Sequence, residues 1–136
     1  MKCLLIYYTG TYNTRYLTGL LKDKLISANF EVDTYEIDPL NIEVLDLTKY
    51  DFIGLGYPIY GFNVPCAFLK FVRKQKFSKN QRVFIYKNSG ETYHANDASS
   101  MSIVRKIKKD KALINNEYHF IMPYNIHFRF EENLIK

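Results

Sequence analysis

Short apolar runs alternate with helical stretches along almost the whole chain, and this alternation limits the fold more than any other feature. Lys2–Tyr8 is apolar and closed by turn residues, the pattern of a strand buried on both faces. In Asn13–Asn29, the residues Tyr16, Leu17, Leu20, Leu21, Leu25 and Ile26 recur at three- and four-residue spacing, which predicts a helix. Phe30–Ile37 alternates imperfectly and reads as an edge strand ended by Asp38-Pro39. Ile42–Lys49 has the apolar content for one or two helical turns. Tyr50–Tyr57 predicts a third strand, whose Gly54 and Gly56 permit close approach of a neighbour. After a loop at Pro58–Asn63, a helix opens at Val64-Pro65, with Pro in the first turn where it is tolerated. Gln81–Lys87 is the fourth strand, Asn88–His94 a loop and Asn96–Lys109 a helix. The last strand is expected at Tyr118–Met122, stopped by Pro123, with a short mixed tail over Tyr124–Lys136.

Strands that alternate with helices imply a parallel sheet with right-handed crossovers. Five strands and three or four helices in 136 residues predict one α/β domain spanning 1–136, doubly wound, with strand order 2-1-3-4-5. In such sheets ligands bind outside the carboxyl ends of the strands, where the order reverses between strands one and three. The loops at those ends are Thr9–Thr14, Pro58–Asn63 and Asn88–His94, all rich in Gly, Tyr, Asn or Thr.

The first of these loops has the chemistry of an anion seat. The opening N–H groups of a helix lack intrahelical acceptors, and the helix dipole favours negative charge there. Hydroxyls at Thr9, Thr11 and Thr14 add donors. The loop holds no Lys, so it is not the nucleotide P-loop. A plain N-cap followed by a polar turn explains the same Thr and Asn residues.

Composition narrows the alternatives. Two cysteines, Cys3 and Cys66, show neither a CxxC pair nor zinc spacing, and with no signal peptide they predict a cytoplasmic protein with reduced thiols. No apolar run approaches a membrane span. His94, His119 and His127 are too scattered for a metal site, and no carboxylate pair or Ser/His/Asp arrangement suggests hydrolysis. The net charge of +5 permits an anionic partner. Lys70, Arg73, Lys74, Lys76, Lys79 and Arg82 form one basic run, and Arg105, Lys106, Lys108, Lys109 and Lys111 another. Each reads as a solvated helix face or as a docking surface for an acidic redox protein. No nucleic-acid motif accompanies them.

The three loops together resemble those of a flavodoxin-type FMN domain. The resemblance lies in Thr9-Gly10-Thr11-Tyr12-Asn13-Thr14, in the run from Gly56 to Pro65, and in Asn88-Ser89-Gly90-Glu91. It covers about residues 1–125 and is nearest to the flavodoxin half of fused flavodoxin–ferredoxin proteins. It implies a noncovalent FMN cofactor. Thr9, Gly10, Thr11, Tyr12, Asn13 and Thr14 would hold its phosphate. Pro58, Ile59, Tyr60 and Gly61 would frame one side of the isoalloxazine ring, and Asn88, Ser89, Gly90 and Glu91 would approach its other edge. Tyr60 or Tyr93 would stack on the ring. Gly61 would let a peptide turn its carbonyl toward the ring.

Two departures accompany the resemblance. Tyr12 stands where the family loop has Gly, a costly exchange if the position needs positive φ. The chain also ends soon after the fifth strand, so the usual C-terminal helix is expected to be short or missing. The sheet face beneath it would then suit a homodimer contact or a separate partner. The expected function is electron transfer by an FMN flavoprotein, with a ferredoxin-like protein or a redox enzyme as partner. The alternatives are an FMN-dependent NAD(P)H, quinone or flavin reductase, and a non-catalytic interaction domain that has lost FMN. A basic surround is expected to stabilise the anionic reduced cofactor.

Overall fold

A computed structural model describes residues 1–9, 13–59, 63–89 and 98–121. Its strands are β1 (Lys2–Tyr7), β2 (Glu31–Glu36), β3 (Phe52–Pro58), β4 (Arg82–Ser89) and β5 (Leu113–Ile121). Its helices are α1 (Asn13–Ser27), α2 (Cys66–Lys74) and α3 (Met101–Lys109), the last entered through a 3-10 turn at Ala98–Ser100. Among the described residues the strands form one five-stranded sheet in the expected order, β2-β1-β3-β4-β5, and every neighbouring pair is parallel.

Alternation along each strand sends side chains to two cores. Leu4, Ile6, Ile53, Leu55, Val83 and Ile85 join Phe68, Phe71 and Val72 of α2 and Ile103 and Ile107 of α3. Cys3, Leu5 and Tyr86 face the other way, onto Leu17 of α1. Beyond α1 on that side, Leu21, Leu25, Phe30, Phe52, Phe84 and Tyr118 line an apolar groove of about 260 Å³. Whether a C-terminal helix is short or missing concerns residues 122–136, which lie outside the described residues.

The glycines of β3 do what the sequence suggests, and the neighbour is aromatic. A Cβ at Gly56 would sit 2.2 Å from the Tyr86 ring, and one at Gly54 would sit 2.6 Å from both Leu5 and Phe84. Helix α1 ends in a left-handed residue, Asn29 at φ 70°, and the Phe30 N–H returns to the Leu25 carbonyl at 3.0 Å.

Two elements depart from the sequence reading. Ile42–Lys49 forms no helix. Two buried glutamines take up its backbone groups instead. Gln75 accepts from the Leu45 N–H at 2.8 Å and donates to the Glu43 carbonyl at 2.7 Å. Gln81 donates to the carbonyls of Leu47 and Tyr50 at 2.7 and 2.9 Å. With these bonds made across the fold, the segment has no need of helical ones. β5 begins at Leu113, five residues before Tyr118. Its first half, Asn115-Asn116-Glu117, has poor strand propensity. Pairing with β4 overrides that, through a register shift between Val83 and Phe84.

Candidate functional site

Asn88, near the end of β4, ties the exit of β3 to the start of α1. Its backbone carbonyl accepts the Ile59 N–H at 2.9 Å, and its buried side-chain Oδ1 accepts the Thr14 hydroxyl at 2.8 Å. Pro58 sits opposite Asn88 in the parallel β3–β4 register, so the Ile59 bond continues that ladder by one step, and the missing Pro58 N–H interrupts no bond to Asn88. On the other side, the Tyr8 N–H reaches the Gly56 carbonyl at 3.0 Å, which ties the exit of β1 to β3. The structure therefore gathers Thr9, Asn13, Thr14, Pro58, Ile59, Asn88 and Ser89 at the carboxyl edge of the sheet, where strand order reverses. Of the other residues singled out from the sequence, Gly10, Thr11, Tyr12, Tyr60, Gly61, Gly90, Glu91, Tyr93, His94 and His127 lie outside the described residues.

Asn13 and Thr14 open α1 and are both buried. Thr14 gives its one hydroxyl proton to Asn88, so it offers an anion its backbone N–H rather than its side chain. One turn on, the Thr18 hydroxyl donates to the Thr14 carbonyl at 2.8 Å. Its single proton is thereby used, so the buried Tyr86 hydroxyl, 2.7 Å away, is the donor of that pair. Burial pushes the Tyr86 phenol well above its ordinary pKa, which keeps the proton there. Asn88 and Tyr86 thus brace the first turn of α1 from β4. The Thr18–Tyr86 bond was not visible in the sequence, where Thr18 is one polar residue among helical positions.

Among the described residues, two buried side-chain atoms at the ends of the β1–α1 turn have no partner: Thr9 Oγ1 and Asn13 Oδ1. Buried polar groups are nearly always hydrogen-bonded, so an orphan pair at one turn points to a ligand. Thr9 also lines a groove of about 500 Å³ together with Tyr8, Arg15, Glu36, Asp38 and Pro39. Arg15 grips Glu36 with both arms of its guanidinium, at 2.8 and 3.0 Å. Burial and the Glu36 charge raise the neighbouring Tyr7 phenol, against a smaller pull from Arg15.

On the opposite face of the sheet the strand ends carry a polar cluster. The Ser89 hydroxyl lies 2.6 Å from Nε2 of His119, the Tyr57 and Ser99 hydroxyls are 3.1 Å apart, and Ser100 donates to Glu117. His119 lies in a strand, as its sequence position suggests, and that strand brings it against a residue of the candidate site. The signal that would have found it is the alternation Glu117–His119, which becomes readable once β5 is started at Leu113. Among the described residues no group of three His, Cys, Asp or Glu is placed to hold a metal ion, and no helix is long and apolar enough to cross a membrane.

No protein-family model matches the chain, and no curated protein sequence matches it. Solved structures do. Oxidised flavodoxin 2 from Bacillus cereus superposes with a TM-score of 0.73 at 19% identity, over 98% of this chain and 99% of that one. A short-chain flavodoxin associated with a non-canonical PDU bacterial microcompartment gives 0.70 at 18% identity, over 99% and 97%. General stress protein 14 of Treponema denticola, solved in complex with FMN, gives 0.68 at 14% identity, over 97% and 92%. Strand order, parallel pairing, helices on both sides of the sheet and these superpositions agree: the chain has the flavodoxin-like fold.

Proposed function

We propose that the protein binds FMN at the carboxyl edge of its sheet and serves as an electron-transfer flavoprotein. The observation that carries this reading is the unpartnered pair at the β1–α1 turn. Thr9 offers a hydroxyl donor, suited to a phosphate oxygen. Asn13 Oδ1 is an acceptor, suited to a hydroxyl. A ligand with a phosphate at the end of a polyhydroxyl chain satisfies both, and FMN is such a ligand. The residues present therefore fit the group, and the FMN bound by the Treponema denticola neighbour of the same fold supports the choice. In this reading Thr9, Asn13 and the N–H groups opening α1 hold the phosphate end. Pro58 and Ile59 border one side of the ring, and Asn88 and Ser89 its other edge. Bound there, FMN would supply one- and two-electron redox chemistry, while the protein supplies position and field. The kinship with fused flavodoxin–ferredoxin proteins rests on the loop motifs and makes a ferredoxin-like or other redox protein the expected partner. Free Cys3 and Cys66 suit a cytoplasmic setting.

Titration of the apoprotein with FMN and with riboflavin, read by quenching of flavin fluorescence, tests the reading. FMN should bind, and riboflavin, lacking the phosphate, should bind at least about tenfold more weakly, a difference of about 1.4 kcal/mol. Equal affinities would remove the phosphate seat, and no binding of either would remove the function.

A further inference from the structure

We infer that His119 is a proton-linked residue of the flavin site, acting on it through Ser89; the inference rests on the FMN reading above. The two side chains meet at 2.6 Å between the ends of β4 and β5. Ser89 follows Asn88, the residue that ties the exit of β3 to the start of α1, and it is the last residue of β4.

A serine hydroxyl has one proton, and the state of the histidine decides where it goes. With His119 neutral and its proton on Nδ1, Nε2 accepts and the Ser89 hydroxyl is committed to the ring. With His119 protonated, Nε2–H donates to Ser89 Oγ. The serine's own proton then turns to another acceptor, and a positive charge stands behind it. One protonation thus adds a donor and a cation at this strand end. Both favour a ligand that has become more negative.

The groups that share this face set the balance. Lys87 of β4 is opposite His119 in register and opposes its protonation by like charge. Glu117, on the same face of β5, favours it; Ser100, at the head of α3, donates to that carboxylate. Tyr57 of β3 contributes no charge, because burial raises its phenol far above the ordinary value. Among the described residues, Ser99 and Ser100 of the turn preceding α3 reach this end, and the helix cations begin at Arg105.

When a chemical reductant such as dithionite delivers an electron pair to bound FMN, one proton accompanies the pair to the ring. A second comes from solvent to Nε2 of His119. The reductant is oxidised, the cofactor is reduced, and His119 gains a proton without changing oxidation state. Nothing else is required for charge or atoms to balance.

The test is the midpoint potential of the FMN-loaded protein from about pH 5 to about pH 9, which spans an ordinary histidine titration. It is run for the wild type, His119→Gln and Ser89→Ala. Histidine nitrogen NMR of the oxidised and reduced wild type reports the tautomer and pKa of His119 without any substitution. We expect the wild-type potential to fall more steeply with pH across part of the range, by one extra proton per electron pair. That extra slope should vanish in His119→Gln and shrink in Ser89→Ala. The His119 pKa should rise on reduction, with the neutral ring protonated at Nδ1. Equal slopes in wild type and His119→Gln overturn the inference and leave the FMN reading standing, as does a His119 pKa unmoved by reduction. A wild type that binds no FMN overturns both.

Discussion

A buried hydroxyl without a partner is an unusual thing to retain, and Thr9 gives the sharpest residue-scale test. In the ligand-free protein its Oγ1 is desolvated and unbonded, a cost on the order of 1–3 kcal/mol. Thr9→Val keeps the shape and removes the polar atom. The ligand-free protein should therefore become more stable or stay unchanged, and FMN affinity should fall about tenfold. Thermal melts and flavin titration on the same variant read both. Opposite signs are the signature of a group kept for a ligand; a loss of stability together with unchanged affinity would mark Thr9 as a structural cap. The sequence offered Thr9, Asn13 and Thr14 as equivalent phosphate ligands. The structure separates them, because Thr14 has its proton on Asn88 and the other two carry free valences. No sequence pattern could show this, since the partner is seventy-four positions away.

At the scale of elements, most of the architecture was legible because the apolar periods are clean. β1, β3 and β4 read as apolar runs, α2 buries Phe68, Phe71 and Val72, and the parallel pairing follows from the alternation of strands and helices. The misreadings fall where long-range bonds outweigh local preference: Gln75 and Gln81 over Ile42–Lys49, and pairing with β4 over the first half of β5. The β3 glycines show the converse, a local choice made for a distant neighbour. Tyr86 lies against Gly56, and its hydroxyl is fixed by Thr18, so the ring cannot easily withdraw. Gly56→Ala should cost about 1–3 kcal/mol, the usual range for overpacking a filled core, and lower the melting temperature by several degrees. Because the Tyr86–Thr18 bond steadies the first turn of α1, the same variant should also weaken FMN binding. A Gly56→Ala protein as stable as the wild type would mean that Tyr86 has room to move.

For the whole molecule, the decisive fact is where the positive charge sits. Parallel strands and returning helices place the ends of α2 and α3 at the amino edge of the sheet. The turns after them are bonded together there, the Asn80 N–H to the Lys111 carbonyl and the Leu113 N–H to the Gln81 carbonyl. Lys74, Lys76, Lys79, Arg82, Lys108, Lys109 and Lys111 are therefore gathered at the end opposite the candidate site, all exposed. At about 3.3 Å per strand residue, β4 separates Arg82 from Ser89 by roughly 23 Å. That exceeds two Debye lengths at physiological salt, about 8 Å each. The basic surround expected from the sequence is thus too remote to stabilise reduced FMN appreciably. An acidic protein drawn to this edge would also arrive at the end of the strands opposite the proposed flavin site. Under the proposed function the charge at this edge would serve long-range attraction of a partner, and electron exchange would fall to the loops at the carboxyl edge. Replacing Lys76 and Lys79 by Glu removes two charges at each position and takes the net charge from +5 to +1. FMN affinity and its potential at physiological salt should then stay within about twofold and the error of titration respectively, while retention on a cation exchanger drops sharply. A tenfold change in FMN affinity would mean that the two edges are coupled, through the sheet or through a field less screened than its depth implies.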